Sequence, residues 1–259
     1  MTLDGKRIIL TGAASGIGAS LLKLLAHFNA DIIAVDLEQG DTPSGKARIT
    51  WFNGDLSMPE TIDSLLVTAV AQLGGIDVFI ANAGFAYYET ADRADWEHIA
   101  RIYRVNVFSP LYALARLREL NANAASYSFV ITTSAMARVP IPGYAHYGAT
   151  KAALHHFAEA YRFEQPPNEH LMLVYPIATR TGFFNRAADG TPVLHPNQTP
   201  AYVARRMLNG LIRQRQQVYP SLGFMVFSTL GRAFPPFNTL YQRYAAWLHR
   251  RWQRRQHDH

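Results

Sequence analysis

Cysteine is absent from the 259 residues, which excludes disulfides, thiolate nucleophiles and cysteine-ligated zinc, and permits a reducing compartment. The ten histidines contain no His-Glu-x-x-His. His155 and His156 are adjacent and cannot share a helix face, while His257 and His259 lie at the end of the chain. Metal catalysis is therefore not expected. No apolar run approaches the roughly 18 residues a membrane-spanning helix needs. Met1 to Arg7 is polar and leads into a short apolar run, without the apolar stretch of a secretory leader. A cytoplasmic location is the expectation. Internal repeats and low-complexity segments are also missing.

Negative charge is scarce near the C-terminus. The net charge is +6, and residues 222–259 hold six arginines against the single acid Asp258, so this segment carries +5 and the rest of the chain +1. The basicity belongs to a tail, which argues against a nucleic-acid-binding face on the main body.

Apolar residues make up 49% of the chain, enough for one large α/β core. Short apolar runs at 7–10, 31–35, 48–52, 76–81, 127–132 and 171–175 read as strands, each bounded by Gly, Pro, Asn or Asp. Helical patterns alternate with them at 17–28, 59–72, 93–120, 147–164 and 200–215. The alternation predicts a parallel sheet with helices on both faces over residues 1–220, and a separate extension over 221–259. Residues 177–200 contain Phe183, Phe184 and three prolines. They are too long for an ordinary connection and suit a lid over a site.

Gly12, Gly16 and Gly18 in Thr11-Gly-Ala-Ala-Ser-Gly-Ile-Gly18 follow the first strand and open the first helix. Gly12 permits a tight turn, Gly16 lets the backbone approach a pyrophosphate, and Gly18 allows close helix packing, while the helix N-terminus offers N–H groups to phosphates. The expected fold is thus a Rossmann-type doubly wound sheet. Asp36 ends the second strand, where a carboxylate accepts hydrogen bonds from ribose hydroxyls and repels a 2′-phosphate. NAD(H) is the expected cofactor, because neither Ser15 nor Leu37 supplies a cation that would reverse the preference.

Tyr147 and Lys151 are four residues apart, so a helix places them on one face. An ordinary phenol titrates near 10; an ammonium about 4 Å away, at an effective dielectric near 20, favours the phenolate by roughly 4 kcal/mol, or about three pH units. The expectation is a tyrosine with a lowered pKa, acting as general base.

In this order and spacing, the residues resemble the single-domain branch of the short-chain dehydrogenase/reductase family over residues 5–220. TGAASGIG at 11–18 resembles the family's cofactor motif. The resemblance assigns Ser15, Gly16 and Ile17 to the dinucleotide, Asp55 and Leu56 to adenine, and Asn82-Ala83-Gly84 to the adenosine ribose. It makes Asn106 the holder of a relay water, and Ser134, Tyr147 and Lys151 the catalytic set. Where the family has Pro-Gly this chain has Pro176-Ile177, which reshapes the nicotinamide pocket; Thr181 still matches the threonine that contacts the carboxamide. The implied reaction is hydride transfer, with Tyr147 moving the proton, Ser134 orienting the substrate oxygen, and Lys151 serving both Tyr147 and the nicotinamide ribose. The family is usually dimeric or tetrameric through helices 93–120 and 147–164.

Phe85, Met136, Ile141, Tyr144, Ile177, Phe183 and Phe184 are the expected surroundings of the reacting carbon. They point to a lipophilic alcohol or ketone. Arg138 and Arg180 are the only basic residues expected near them, so a carboxylate or phosphate substrate is not strongly indicated. In the tail, Leu222 to Leu230 is almost wholly apolar. Beyond Pro235-Pro236, the residues Leu240, Tyr244, Trp247, Leu248 and Trp252 fall near one helical face, with Arg243, Arg250 and Arg254 opposite. Such a helix suits the interface of an anionic membrane, and equally suits packing on its own domain or across a subunit interface. The competing functional reading is a non-catalytic NAD(H)-binding regulator that works through this tail.

Overall fold

The computed structural model describes residues 1–92, 95–124, 126–183, 187–192, 194–233 and 236–257, without the side chains of 230–238 and 256–257. Seven strands form one sheet: β1 Arg7–Thr11, β2 Asp31–Asp36, β3 Arg48–Asn53, β4 Val78–Ala81, β5 Tyr127–Thr132, β6 Glu169–Val174 and β7 Gln217–Val218. Their order is β3-β2-β1-β4-β5-β6-β7, and every pairing is parallel. The order reverses between β1 and β4, which opens a crevice at the carboxyl ends of those strands, where ligands bind in such sheets.

Alternation along the strands sends side chains to two faces. Ile9, Ile33, Val35, Phe79, Phe129, Ile131, Leu171 and Leu173 join one buried layer. Their sequence neighbours Ile8, Leu10, Ile32, Ala34, Val78, Ile80, Val130, Met172 and Val174 join the other. Because both faces are covered, β1, β2, β4, β5 and β6 read as continuous apolar runs rather than as alternating ones, while the edge strand β3 is only half-buried. Helices α2 Pro59–Leu73, α4 Ser109–Leu120 and α5 Ala145–Tyr161 cover the first face. Helices α1 Gly16–Leu25 and α6 Pro200–Ile212 cover the second.

The expected helix over 93–120 is interrupted. It consists of α3 Trp96–Tyr103, a π-helical turn Arg104–Phe108 and α4; residues 93 and 94 lie outside the described residues. Asp95 caps α3 by accepting from the His98 N–H at 3.0 Å. The π turn adds a residue to the helical repeat and so re-aims the side chains within it, Asn106 included. β7 was not expected, because two residues leave no periodicity to read. β6 runs Glu169–Val174 rather than 171–175, although the Tyr175 N–H continues the ladder to the Val218 carbonyl at 2.9 Å.

After β7 the chain forms α7 Leu222–Ala233 and α8 Pro236–His257. No helix among the described residues is long and apolar enough to cross a membrane. Both helices pack back onto the body through a third cluster above the sheet, where Phe224, Phe227, Tyr241, Ala245, Leu248 and Trp252 meet Tyr88, Tyr144 and Tyr147. The helical face expected of the tail is thereby split. Leu248 and Trp252 turn inward with Tyr241 and Ala245, while Leu240, Tyr244 and Trp247 remain outside. On α8 the buried stripe is the one that meets Tyr88 and Tyr144.

Candidate active site

The cleft at the sheet's switch point begins at the glycine turn. Gly12 and Gly16 have φ of +66° and +57°, the left-handed region that side-chain-bearing residues avoid. A Cβ on Gly12 would stand 2.9 Å from the Ala83 Cα, and one on Gly18 only 1.8 Å from the Gly12 carbonyl oxygen. Turn, helix and the β4 loop are therefore closed on each other as tightly as backbone allows. No acidic residue occupies the first turn of α1, so its partial positive charge is left for an anion. Ser15, Gly16 and Ile17 line the cleft there. Gly18 lies behind the wall.

Asp36 reaches the same cleft from the end of β2. Its Oδ2 accepts from the Ala14 N–H and its Oδ1 from the Leu37 N–H, both at 2.9 Å, which aims the carboxylate and leaves a lone pair on each oxygen. Asp55 lines the cleft beside Leu56 and accepts from the Ser57 N–H at 2.9 Å. Asn82 joins the parts: its amide donates to the Thr11 and Gly12 carbonyls at 3.2 Å and accepts from the Thr132 hydroxyl at 3.1 Å. The Thr132 carbonyl in turn accepts from Lys151 Nζ at 2.9 Å. The glycine turn and the lysine are thus ends of one hydrogen-bonded chain. These residues form a cradle that fits a dinucleotide: a turn no side chain could fill, a helix N-terminus and a strand-end carboxylate.

In α5 the buried positions include 147, 151, 154, 158 and 161, a 4-3-4-3 stripe that faces the body. Tyr147 and Lys151 sit at the top of that stripe, which puts them on the cleft wall. Ser134 follows β5 and caps a single 3₁₀ turn, its Oγ accepting from the Met136 N–H at 3.1 Å. The Ala135 N–H donates to the Pro176 carbonyl at 2.8 Å and so ties this turn to the loop carrying Pro176, Ile177 and Thr181. All three line the cleft. Asn106 does not. It is buried, its Oδ1 accepts from the Phe85 N–H at 3.1 Å, and its Nδ2 donates to the Phe85 carbonyl at 2.8 Å and to Thr150 Oγ1 at 3.2 Å. In this structure Asn106 clamps the loop that carries Phe85.

The expected lowering of the tyrosine pKa is not found in the protein itself. Burial pushes the Tyr147 phenol up to about 12, with a hydrogen bond to Ser134 pulling partly the other way. Burial also lowers the Lys151 ammonium from 10.5 to about 8. Lys151 Nζ lies 5.7 Å from the Tyr147 ring centroid and spends a hydrogen bond on Thr132. Away from water each group resists its own charge, and that desolvation exceeds what their mutual attraction returns.

Of the residues expected around a substrate, Phe85, Met136, Ile177 and Phe183 line the cleft. Ile141 and Tyr144 are set back in the aromatic cluster, where Tyr144 packs on Tyr147 at 6.2 Å between ring centroids. Phe184 lies outside the described residues. Arg138 is 5.8 Å from the Tyr175 ring and 5.5 Å from the Tyr219 ring, and neither it nor Arg180 lines the cleft. Arg101 does, together with Val105, Thr132, Thr133, Ala178 and Thr179. None of these was named from sequence. Arg101 and Val105 are four apart on the helix that carries Asn106, and that spacing is the one sequence signal pointing to them. The loop expected as a lid is pinned by α8: the Trp252 indole donates to the Asp189 carbonyl at 3.0 Å and the Tyr241 hydroxyl to the His195 carbonyl at 3.3 Å.

The profile of the short chain dehydrogenase family matches residues 6–191. A vibriobactin-specific 2,3-dihydro-2,3-dihydroxybenzoate dehydrogenase of Vibrio cholerae is 30% identical over 190 residues, covering 70% of this chain and 72% of that protein. Among solved structures, a short-chain dehydrogenase from Sphingobium yanoikuyae in complex with NADPH superposes with a TM-score of 0.75 at 22% identity, over 84% of this chain and 88% of that one. A short chain dehydrogenase/reductase from Burkholderia phymatum in complex with NAD superposes with a TM-score of 0.78 at 16% identity, over 90% and 95%.

Proposed function

We propose, from the premise that this chain belongs to the short chain dehydrogenase family, that it is an oxidoreductase moving a hydride between NAD(H) and a lipophilic secondary alcohol or ketone. The observation that carries the reading is that Ser134, Tyr147 and Lys151 line the same cleft as the glycine turn and Asp36. NAD(H), when bound, supplies the hydride acceptor or donor. Gly12, Ser15, Gly16 and Ile17 would hold its phosphates, and Asp36 its adenosine ribose hydroxyls, which favours NAD over NADP. Asp55, Leu56 and Asn82-Ala83-Gly84 would flank the adenosine, and Pro176, Ile177 and Thr181 the carboxamide.

Tyr147 carries the proton at its phenol oxygen. Held at about 12, it is protonated at neutral pH, the form that donates to a ketone oxygen. Taking a proton from an alcohol requires positive charge beside the phenol, and Lys151 supplies it while protonated, below about pH 8. Ser134, already hydrogen-bonded to Tyr147, positions the substrate oxygen against the phenol. Asn106 holds the loop that carries Phe85 in place against the cleft. Phe85, Met136, Ile177 and Phe183 exclude water and favour an apolar substrate body. Homo-oligomerisation is supported by Phe108 on the π turn, Leu120 on α4 and Phe163 just beyond α5, all exposed.

The test is Tyr147→Phe, assayed over a panel of lipophilic alcohols and ketones. Turnover should vanish while the NADH dissociation constant stays within a few-fold. Turnover unchanged in the variant would sink the catalytic role of Tyr147; NADH binding without turnover in the unaltered protein would favour the regulator. A second reading, an acidic substituent on the substrate, rests on Arg101, the cation that lines the cleft besides Lys151. If it holds, Arg101→Gln raises KM for a carboxylated substrate and leaves a neutral analogue unaffected.

A further inference from the structure

From Gly190 to His257 the chain has ten arginines and no aspartate or glutamate. This one-signed segment ends in α7 and α8, whose inner faces are committed to the aromatic cluster above the sheet. Their outer faces mix apolar and basic side chains. On α8, Leu240, Tyr244 and Trp247 are 66%, 44% and 50% exposed. At spacings of four and three residues they form a single stripe. Arg251 extends it, its guanidinium 5.7 Å from the Trp247 ring centroid. Arg243, Arg250, Arg254 and Arg255 are exposed beside it. On the adjoining α7, Leu222, Met225 and Val226 are exposed as well. No ion pair among the described residues involves an arginine of α8.

We propose that the outward face of α7 and α8 docks on the surface of an anionic lipid bilayer. A tryptophan, a tyrosine and aliphatic side chains ringed by unpaired arginines match the two layers of that surface: the rings and aliphatic groups enter the acyl boundary and the guanidiniums meet phosphates. The helices lie on the surface, since neither is apolar enough to span it. A second copy of the chain is a poorer occupant, because a two-fold contact would set arginines against arginines with no acid on the face to pair them. A nucleic acid would satisfy the charge but leave the aliphatic centre uncovered. Inner contacts through Tyr241, Ala245, Leu248 and Trp252 hold the face in place before it meets lipid, so little ordering entropy is lost on docking. The proposal stands apart from the catalytic reading and needs no substrate.

The experiment is co-sedimentation of the full chain with vesicles of phosphatidylcholine alone and of phosphatidylcholine with phosphatidylglycerol. Two variants accompany it, Tyr244→Ser/Trp247→Ser and Arg250→Gln/Arg254→Gln/Arg255→Gln, with thermal unfolding and NADH binding as checks that each is folded. Partitioning should require phosphatidylglycerol and weaken with added salt. It should fall on the order of 100-fold in the triple variant and at least ten-fold in the double. Equal partitioning by the folded variants would overturn the proposal. So would no partitioning by the unaltered chain, binding to single-stranded RNA without binding to vesicles, or a dimer that the double variant dissociates while vesicle binding stays absent.

Discussion

Replacing Lys151 by methionine should make the protein more stable while abolishing its activity. Lys151 is a buried ammonium whose pKa falls from 10.5 to about 8. At 1.36 kcal/mol per pH unit, holding that proton in the folded state costs about 3 kcal/mol. Methionine fills similar space without the charge, but leaves the Thr132 carbonyl without the donor it has at 2.9 Å, a loss of about 1 kcal/mol. The net gain at neutral pH is roughly 2 kcal/mol, or about 4 °C in Tm at about 2 °C per kcal/mol for a chain of this size. The pH dependence separates this cause from better packing. Below about pH 8 Lys151 is charged in both folded and unfolded chains, and the deficit is complete. Between about 8 and 10.5 the unfolded chain holds a proton that the folded one has lost, so the stability of the unaltered protein rises with pH relative to the variant. Chemical denaturation without cofactor at pH 7 and pH 9.5 measures it, and the gap should close by roughly 2 kcal/mol. A variant less stable than the unaltered protein at pH 7, or a gap that does not change with pH, would refute the reasoning.

Asp36→Asn should narrow the preference for NAD⁺ over NADP⁺ by removing the charge that repels a 2′-phosphate; an unaltered protein that already prefers NADP⁺ would show that Asp36 does not select. Asn106→Ala strips the Phe85 N–H and carbonyl of their partners and should destabilise by about 2 kcal/mol. Activity should fall with it, and denaturant unfolding with the m-value unchanged is the check. Trp252→Ala removes the hydrogen bond to the Asp189 carbonyl and an edge-to-face contact with Tyr88 at 4.9 Å between centroids. Limited proteolysis should then cut the 187–192 segment faster than in the unaltered chain.

Local pattern carried most of the fold and part of the site. Five of the six longer strands announce themselves as apolar runs because both their faces are covered, while the edge strand β3 is only half-buried; the glycine turn announces itself because only glycine accepts the backbone at 12 and 16. The Tyr147-Lys151 spacing predicts a shared helix face whatever surrounds it, and the buried stripe of α5 contains both. Arg101 was invisible because the cleft wall it joins is assembled from eight separate stretches of chain. β7 was invisible because its two residues are a strand only beside β6.

What the sequence by itself determined is therefore which groups are present and which side of their own element they occupy, since helix and strand periods are set by backbone geometry alone. Only the tertiary structure decided how much water each group keeps. That is why a tyrosine expected below its ordinary pKa stands at about 12 and its lysine at about 8. It is also why the apolar arc of α8 divides, with Leu248 and Trp252 against the body and Tyr244 and Trp247 left facing outward. Desolvation depends on everything packed around a group, and no stretch of sequence contains its own surroundings.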